Sequence, residues 1–397
     1  MIIKKVGQDQ IQQIEELWDY CFEKKSDPFF QYYFGDYCNK HNTVFGCFEK
    51  REAVEKLIAM VHVNPYRLRI RSEYYDVPYL VGVATAPEAR GKHLFANMAT
   101  SVFHELKAAG IAFVTLMPIY AGIYQPYGFS FCYFRHEYKL PLTSLKYTPM
   151  DAQLSIRRIG LEESIGTLQE LYNKLTEVYN GVPVRSFSRW QLLTKVYKAE
   201  DVHLAIVYRN EQAAGYMLYK INGETFEVIE LLSDSYSSKD CLLAYAANHK
   251  SAAKYFFWLA PPCDLTFLSF EDQKLAGSVY PFMMARCLDV TAAMLRLQVP
   301  ASLTAHKFCL HVFDPIIEDN NVKIKINICD GSLHIKNSPT EAEDVFMDIG
   351  AFTQLYMGTF SAEELLNAGR IRCHNIELVR LLNILFPKKV NYDNEYF

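Results

Sequence analysis

Apolar residues recur along this chain at two periods, and the switch between the periods lays out its elements. In 10–22, Ile11, Ile14, Leu17 and Trp18 share one side of a predicted helix. Residues 43–48 and 56–63 read as paired strands, and 73–85 as further extended chain. Leu94, Met98, Val102 and Leu106 recur every fourth position, which predicts a helix over 94–106. Residues 111–117 read as a buried strand and 129–140 as one rich in aromatics.

A weaker copy of that order follows. Residues 165–178 and, more briefly, 190–197 have helical spacing. Strands over 203–208, 214–221 and 225–233 are joined by the turns Arg209-Asn-Glu211 and Asn222-Gly223. A helix over 241–253 and a strand over 254–259 complete the copy. From about Arg286 the pattern changes. Val322, Ile324, Ile326 and Ile328 alternate with Lys323, Lys325 and Asn327, a half-buried strand; Asp330-Gly331 turns the chain, and Leu333 and Ile335 continue it back. Short helices are expected over 352–356 and 362–367, and a last amphipathic one over 376–386. The chain therefore divides as 1–148, 149–285 and 286–397, with an α+β (mixed α/β) fold class.

Composition narrows the function. At 397 residues, half of them hydrophobic, the chain has material for two or three well-filled domains. A formal charge of −4 with no long basic run argues against nucleic acid as a partner. Its ten cysteines form no Cys-x-x-Cys pair and no Cys/His cluster at zinc spacing, so reduced thiols and no metal are expected. The first residues lack the apolar run of a signal peptide, and no stretch approaches the roughly 20 apolar residues of a membrane span. These readings place the protein in the cytoplasm.

The most specific chemistry lies in 80–96. An apolar strand runs into a Pro-Glu turn, a short basic loop containing Gly91, and a helix. Exposed N–H groups at a helix start, with Arg90 and Lys92 beside them, suit a pyrophosphate. The strand edge before them suits a neutral, amide-bearing arm, and the two together describe an acyl-coenzyme A. The second copy has Tyr236-Ser-Ser-Lys-Asp240 at the corresponding place, without glycine or arginine and with an acid in the phosphate seat. One such site per chain is expected.

Val83-Ala-Thr-Ala-Pro-Glu-Ala-Arg-Gly-Lys, Gly122-Ile-Tyr-Gln-Pro-Tyr-Gly-Phe129, Leu355-Tyr-Met-Gly358, Asn367-Ala-Gly-Arg370 and the aromatic last residue carry a family resemblance. The first domain is similar to GNAT-type N-acetyltransferases. The whole layout resembles the bacterial enhanced intracellular survival (Eis) acetyltransferases, with two tandem GNAT folds and a C-terminal sterol-carrier-protein-like domain. The resemblance implies that Val83, Ala84 and Thr85 hold the pantetheine amides of acetyl-CoA, the co-substrate. Arg90, Gly91, Lys92, His93, Leu94, Phe95 and Ala96 would hold the pyrophosphate, and Ile119 and Tyr120 would flank the arm. His93 stands where the family has glycine.

The resemblance also makes Tyr124 the general acid, a phenol of pKa about 10 that protonates the departing thiolate; Tyr127 is its neighbour in the same turn. The α-carboxylate of Phe397 would receive the proton of the attacking amine, with Glu395 attracting that amine. The implied reaction is direct attack in a ternary complex by a primary amine, whether an aminoglycoside, a polyamine or a lysine side chain. Family members form closed oligomers, so a homo-oligomer, a hexamer in the best-known cases, is expected. His62, His104 and His136 read as structural. The aromatic run Phe29-Phe-Gln-Tyr-Tyr-Phe34 suits either an acceptor wall or a core patch. Two other readings stand beside this one. One is a non-catalytic module whose third domain holds an apolar ligand. The other is a tandem-GNAT aminoacyl transferase, against which the lack of a basic stripe counts.

Overall fold

In a computed structural model the paired strands expected over 43–48 and 56–63 form as Thr43–Arg51 and Val54–Asn64, and Ile2–Lys5, for which no strand was expected, adds antiparallel beside Thr43–Arg51. The structure describes residues 1–51, 54–145, 153–275, 277–340 and 342–395. The first helix, Ile11–Cys21, turns Ile14, Leu17 and Trp18 into the core. The extended chain expected over 73–85 is split in two. Glu73–Asp76 joins Arg67–Ile70 and Val182–Pro183 in a small sheet of three strands, while Tyr79–Thr85 enters the main sheet. Pro78 stands at the break, where a residue without an N–H interrupts any ladder.

The main sheet has twelve strands, and their order is not that of the chain. From one edge it runs Ile2–Lys5, Thr43–Arg51, Val54–Asn64, Tyr79–Thr85, Phe113–Leu116, Ser278–Cys287, Ser130–Pro141, Tyr255–Ala260, Thr225–Ser233, Gln212–Asn222, His203–Arg209 and Leu154–Arg158. Ser278–Cys287, which follows the second set of strands in sequence, thus inserts between two strands of the first set. It pairs antiparallel with both of them, and Ser130–Pro141 in turn pairs with Tyr255–Ala260. The two halves exchange their last strands and share one sheet.

Two helices of the second half start earlier than expected, each at a serine cap. Phe187–Ala199 starts where the Ser186 hydroxyl accepts the Arg189 N–H. Tyr236–Ala247, expected over 241–253, starts where Ser235 accepts the Ser238 N–H. In the third part, Ser332–Asn337, Val322–Cys329, Ala305–Phe313, Val345–Asp348 and Ile371–Cys373 form a five-stranded sheet. Ile324, Ile326 and Ile328 face inward as their alternation predicts.

Helix Ile349–Met357 is buried along its whole length. It lies against the exchanged strands, with Gln354 Nε2 donating to the Phe131 carbonyl at 2.9 Å and the Cys287 N–H to Thr353 Oγ1 at 2.9 Å. One apolar core consequently runs through the first and third parts, from Val6 to Tyr133 and from Phe282 to Phe386, while the middle part has separate clusters. Among the described residues no helix is long and apolar enough to cross a membrane.

Candidate active site

Tyr79–Thr85 and Phe113–Leu116 run parallel, yet they pair only at Tyr79 with Thr115 and Leu80 with Leu116. On its other side Tyr79–Thr85 stays on Val54–Asn64 as far as Thr85 opposite Ala59, with a register shift between Met60 and His62. Gly82 sits at that shift with φ +56°, and a side chain there would run into Trp18 and His62. A bulge at a residue without Cβ bends the strand away from its parallel neighbour. The edge bearing Val83, Ala84 and Thr85 therefore faces an open wedge. Ala84 is buried, while Val83 and Thr85 are half-buried.

The chain leaves this strand through a turn, Pro87–Ala89, into the basic loop and helix Leu94–Ala108. Arg90, Gly91, Lys92 and His93 are all exposed, and Arg90 Nε reaches the Thr85 carbonyl at 3.3 Å. Gly91 has φ +77°, and His93, the residue before the helix, has φ 52° and ψ 31°. His93 thus occupies the left-handed region, where glycine is the least strained residue. Leu94 is buried; Phe95 and Ala96 are half-buried, and the Ala96 N–H turns back to the His93 carbonyl at 3.1 Å.

Tyr124 lies between two short helical turns, Ala121–Ile123 and Gln125–Tyr127. Its ring stands edge-on to Phe95 at 5.4 Å and to Phe129 at 6.1 Å, and Tyr127 meets Phe95 at 4.9 Å. The fold therefore brings Tyr124 onto the start of the helix that follows the basic loop. Tyr124 is 8% exposed, and burial pushes its phenol above the usual tyrosine range, so it is protonated at neutral pH. Ile119 and Tyr120 are exposed in the segment just before it.

Phe397 lies outside the described residues. The described chain before it is held as far as Glu395. The Asn180 N–H bonds the Val390 carbonyl at 2.8 Å, and the Tyr392 N–H bonds the Asn180 carbonyl at 2.9 Å. The Tyr392 ring stacks on Tyr179 at 4.8 Å, and Tyr66 donates to Asp393 Oδ1 at 2.8 Å. Arg135 Nη2 donates to Asn394 Oδ1 at 2.9 Å. Glu395 bonds Arg185 Nε at 2.7 Å and also Arg189, and Arg185 grips Glu230 at 2.7 and 3.1 Å.

This buried network overturns one expectation. Glu395 is not turned toward an incoming amine; two arginines use its charge, and they hold its carboxyl below the ordinary glutamate range against the opposing effect of burial. Arg135, Arg185, Arg189, Glu230 and Asp393 went unnoticed in the sequence because isolated charges far apart in the chain carry no motif. In the aromatic run near residue 30, Phe30 and Tyr33 are core while Phe29, Tyr32 and Phe34 are half-buried against it; Tyr33 stacks on Trp18 at 4.8 Å and places its hydroxyl 3.0 Å from His62 Nδ1. His136 stacks on Tyr138 at 4.4 Å, and His104 is exposed.

The second half repeats the wedge but not the seat. Thr225–Ser233 and Tyr255–Ala260 pair in parallel from Thr225 to Val228 and then separate. At the following helix start, Arg209 Nη2 reaches Ser235 Oγ at 2.7 Å and Ser238 Oγ at 3.0 Å, with Asp234 3.7 Å away. The chain's own side chains thus bond one another at this helix start. Among the described residues no group of His, Cys, Asp and Glu side chains could hold a metal ion.

Residues 2–132 match the family described as acetyltransferase (GNAT) domain, and 181–292 match a second family of that description. Residues 290–392 match the sterol carrier protein domain. No curated protein matches the chain. Among solved structures, a conserved protein from Enterococcus faecalis V583 aligns with TM-score 0.88 at 22% identity, covering 100% of this chain and 99% of that one. A GCN5-related N-acetyltransferase from Anabaena variabilis ATCC 29413 aligns with TM-score 0.83 at 18% identity over 100% of both chains. Eis1 from Mycobacterium abscessus aligns with TM-score 0.75 at 14% identity, again over 100% of both. At these identities the likeness is one of fold.

Proposed function

The chain belongs to the GNAT acetyltransferases, with two GNAT domains and a C-terminal sterol carrier protein domain, and from that premise we propose that it moves an acetyl group from acetyl-CoA to a primary amine at the wedge of its first domain. The parting of Tyr79–Thr85 from Phe113–Leu116 beyond Leu80 carries this reading. An open strand edge offers N–H and C=O groups in line, and an amide-bearing arm lying in the wedge takes them as an added strand would. Val83, Ala84 and Thr85 supply that edge. Arg90, Gly91, Lys92 and His93, with the N–H groups of Leu94 and Phe95, receive the pyrophosphate at the positive end of the helix. Ile119 and Tyr120 flank the arm.

With both substrates bound, the amine attacks the thioester carbon directly; the C–N bond forms and the C–S bond breaks. Strand-edge N–H groups polarise the carbonyl. Tyr124 gives its proton to the departing sulfur, a role that suits a phenol kept neutral by burial. The α-carboxylate of Phe397 takes the proton from nitrogen. The fixing of Glu395, two residues earlier, by Arg185 and Arg189 supports that role. The acceptor is a small-molecule amine or a lysine side chain.

The test is CoA-thiol release against a panel of aminoglycosides, polyamines and lysine peptides. Tyr124→Phe is expected to lose about 10²- to 10⁴-fold in turnover. An unchanged rate removes Tyr124 as the acid. Full activity in a chain extended by one residue past Phe397 removes the carboxylate. Failure of every amine to release CoA, with acetyl-CoA still bound, would leave a binding protein.

A further inference from the structure

The segment that carries Tyr124 is anchored by the Tyr124 and Tyr127 rings, while most of its other apolar side chains lie on the surface. Met117, Ile119, Tyr120 and Ile123 are exposed, and among the described residues the backbone bonds of the stretch are those of its short turns. Tyr124 and Tyr127 share one turn, the Tyr127 N–H donating to the Tyr124 carbonyl at 3.0 Å. One side chain from far along the sequence closes that turn. Arg286, on the exchanged strand Ser278–Cys287, donates through Nη1 to the Tyr127 carbonyl.

The same guanidinium is fixed from two other directions. Its Nη2 meets both oxygens of Asp314 at 2.9 and 2.8 Å, and both side chains are fully buried. Asp314 lies in the third part of the chain and is itself held by the N–H groups of Ile316 at 2.9 Å and Ile317 at 3.1 Å, and by Asn320 Nδ2 at 2.8 Å. The guanidinium also lies 4.8 Å over the ring of Phe103, on the helix whose start forms the basic loop. Gly128, with φ +81°, leaves room for this approach; a side chain there would collide with Arg286 and Ile349.

We propose that Arg286 is a positioning residue for acetyl transfer: clamped by Asp314, it fixes the Tyr127 carbonyl and through it the Tyr124 phenol relative to the CoA-binding helix. The inference rests on the reading of Tyr124 as proton donor. It gives the sterol carrier protein domain a part in the chemistry, because Asp314 belongs to that domain and Arg286 only bridges to it. The arrangement needs a forked, permanently charged side chain, since one ammonium on a flexible stem does not serve a carboxylate and a carbonyl on opposite sides together.

The decisive variant replaces both charges, Arg286→Met with Asp314→Leu, because an apolar pair of similar volume commonly keeps a buried site folded where a single replacement does not. Expected is a kcat lowered about 100-fold, as for a displaced catalytic group, with KM for acetyl-CoA within about threefold of wild type and faster amide hydrogen exchange over 119–128. Arg286→Lys is expected to lose less, retaining the ion pair but not the carbonyl bond. A double variant with wild-type kcat and unchanged exchange over 119–128, alongside an inactive Tyr124→Phe, overturns the clamp alone. Full activity of Tyr124→Phe instead overturns the proton-donor reading on which the clamp rests. If the double variant does not fold, Arg286→Lys decides: wild-type kcat there overturns the proposal, and a lower kcat at unchanged KM supports it.

Discussion

His93 offers a measurement of how much backbone strain the basic loop before helix Leu94–Ala108 carries. Its φ of 52° and ψ of 31° put an L-residue in the left-handed region immediately before helix Leu94–Ala108. For a residue with a Cβ that conformation costs about 1–2 kcal/mol. Replacing His93 by glycine removes that strain but gives the unfolded chain more freedom, which offsets about 0.4–1 kcal/mol. The imidazole is exposed and makes no capping hydrogen bond to the helix, so deleting it removes little else. His93→Ala keeps a Cβ and hence the strain. His93→Gly is therefore expected to exceed His93→Ala in stability by about 1 kcal/mol. Guanidinium unfolding of wild type and both variants reads the difference. If alanine proves as stable as glycine, the left-handed reading of this loop is wrong. If the loop seats the pyrophosphate through its N–H groups, as proposed, the KM for acetyl-CoA stays within about threefold of wild type in both variants.

Two further outcomes concern the anchored tail, and in both the sign follows from the direction of the pKa shift. Asp393 is fully buried, and burial first, then the nearby Glu395, raises its carboxyl to about 7. Its folded-state value lies above the unfolded one, so folding is favoured while it is protonated, and stability falls as pH rises from about 4 to 7, by on the order of 4 kcal/mol. Asp393→Asn, which keeps an acceptor for Tyr66, should flatten unfolding free energy across that window; an unaltered slope would show that another group sets it. Glu395 is shifted the other way, so its contribution is present above about pH 4.5 and is lost as pH falls through its lowered folded-state value. Glu395→Gln is expected to cost about 3–5 kcal/mol at pH 7, the usual result of breaking a buried ion pair. That deficit should shrink at low pH; one that persists undiminished at pH 3 would contradict the charge-based account.

Local pattern determined a good part of this protein. Helix Leu94–Ala108 and the strand beginning at Val322 follow from spacing alone, because a segment's own side chains must present one apolar face at the period of its backbone. The turn at Asp330-Gly331 and the glycine at 91 were equally legible, since positive φ at 48°, 73° and 77° selects a short list of residues. The basic loop and the strand before it stood out as a candidate seat because they are contiguous, whereas Tyr124 was singled out only by the family resemblance of the segment around it. Tertiary structure decided what is not contiguous. No periodicity in 278–287 says that this strand leaves its own half to lie beside Phe113–Leu116, because its apolar run would satisfy either sheet and only the competition for partners chooses. Nor does an isolated charge announce its partner: Tyr66 and Asp393 meet across 327 residues, and Arg185 and Glu395 across 210. Burial turns such charges from solvated side chains into obligatory pairs, and which ones are buried is known only when the whole chain has folded.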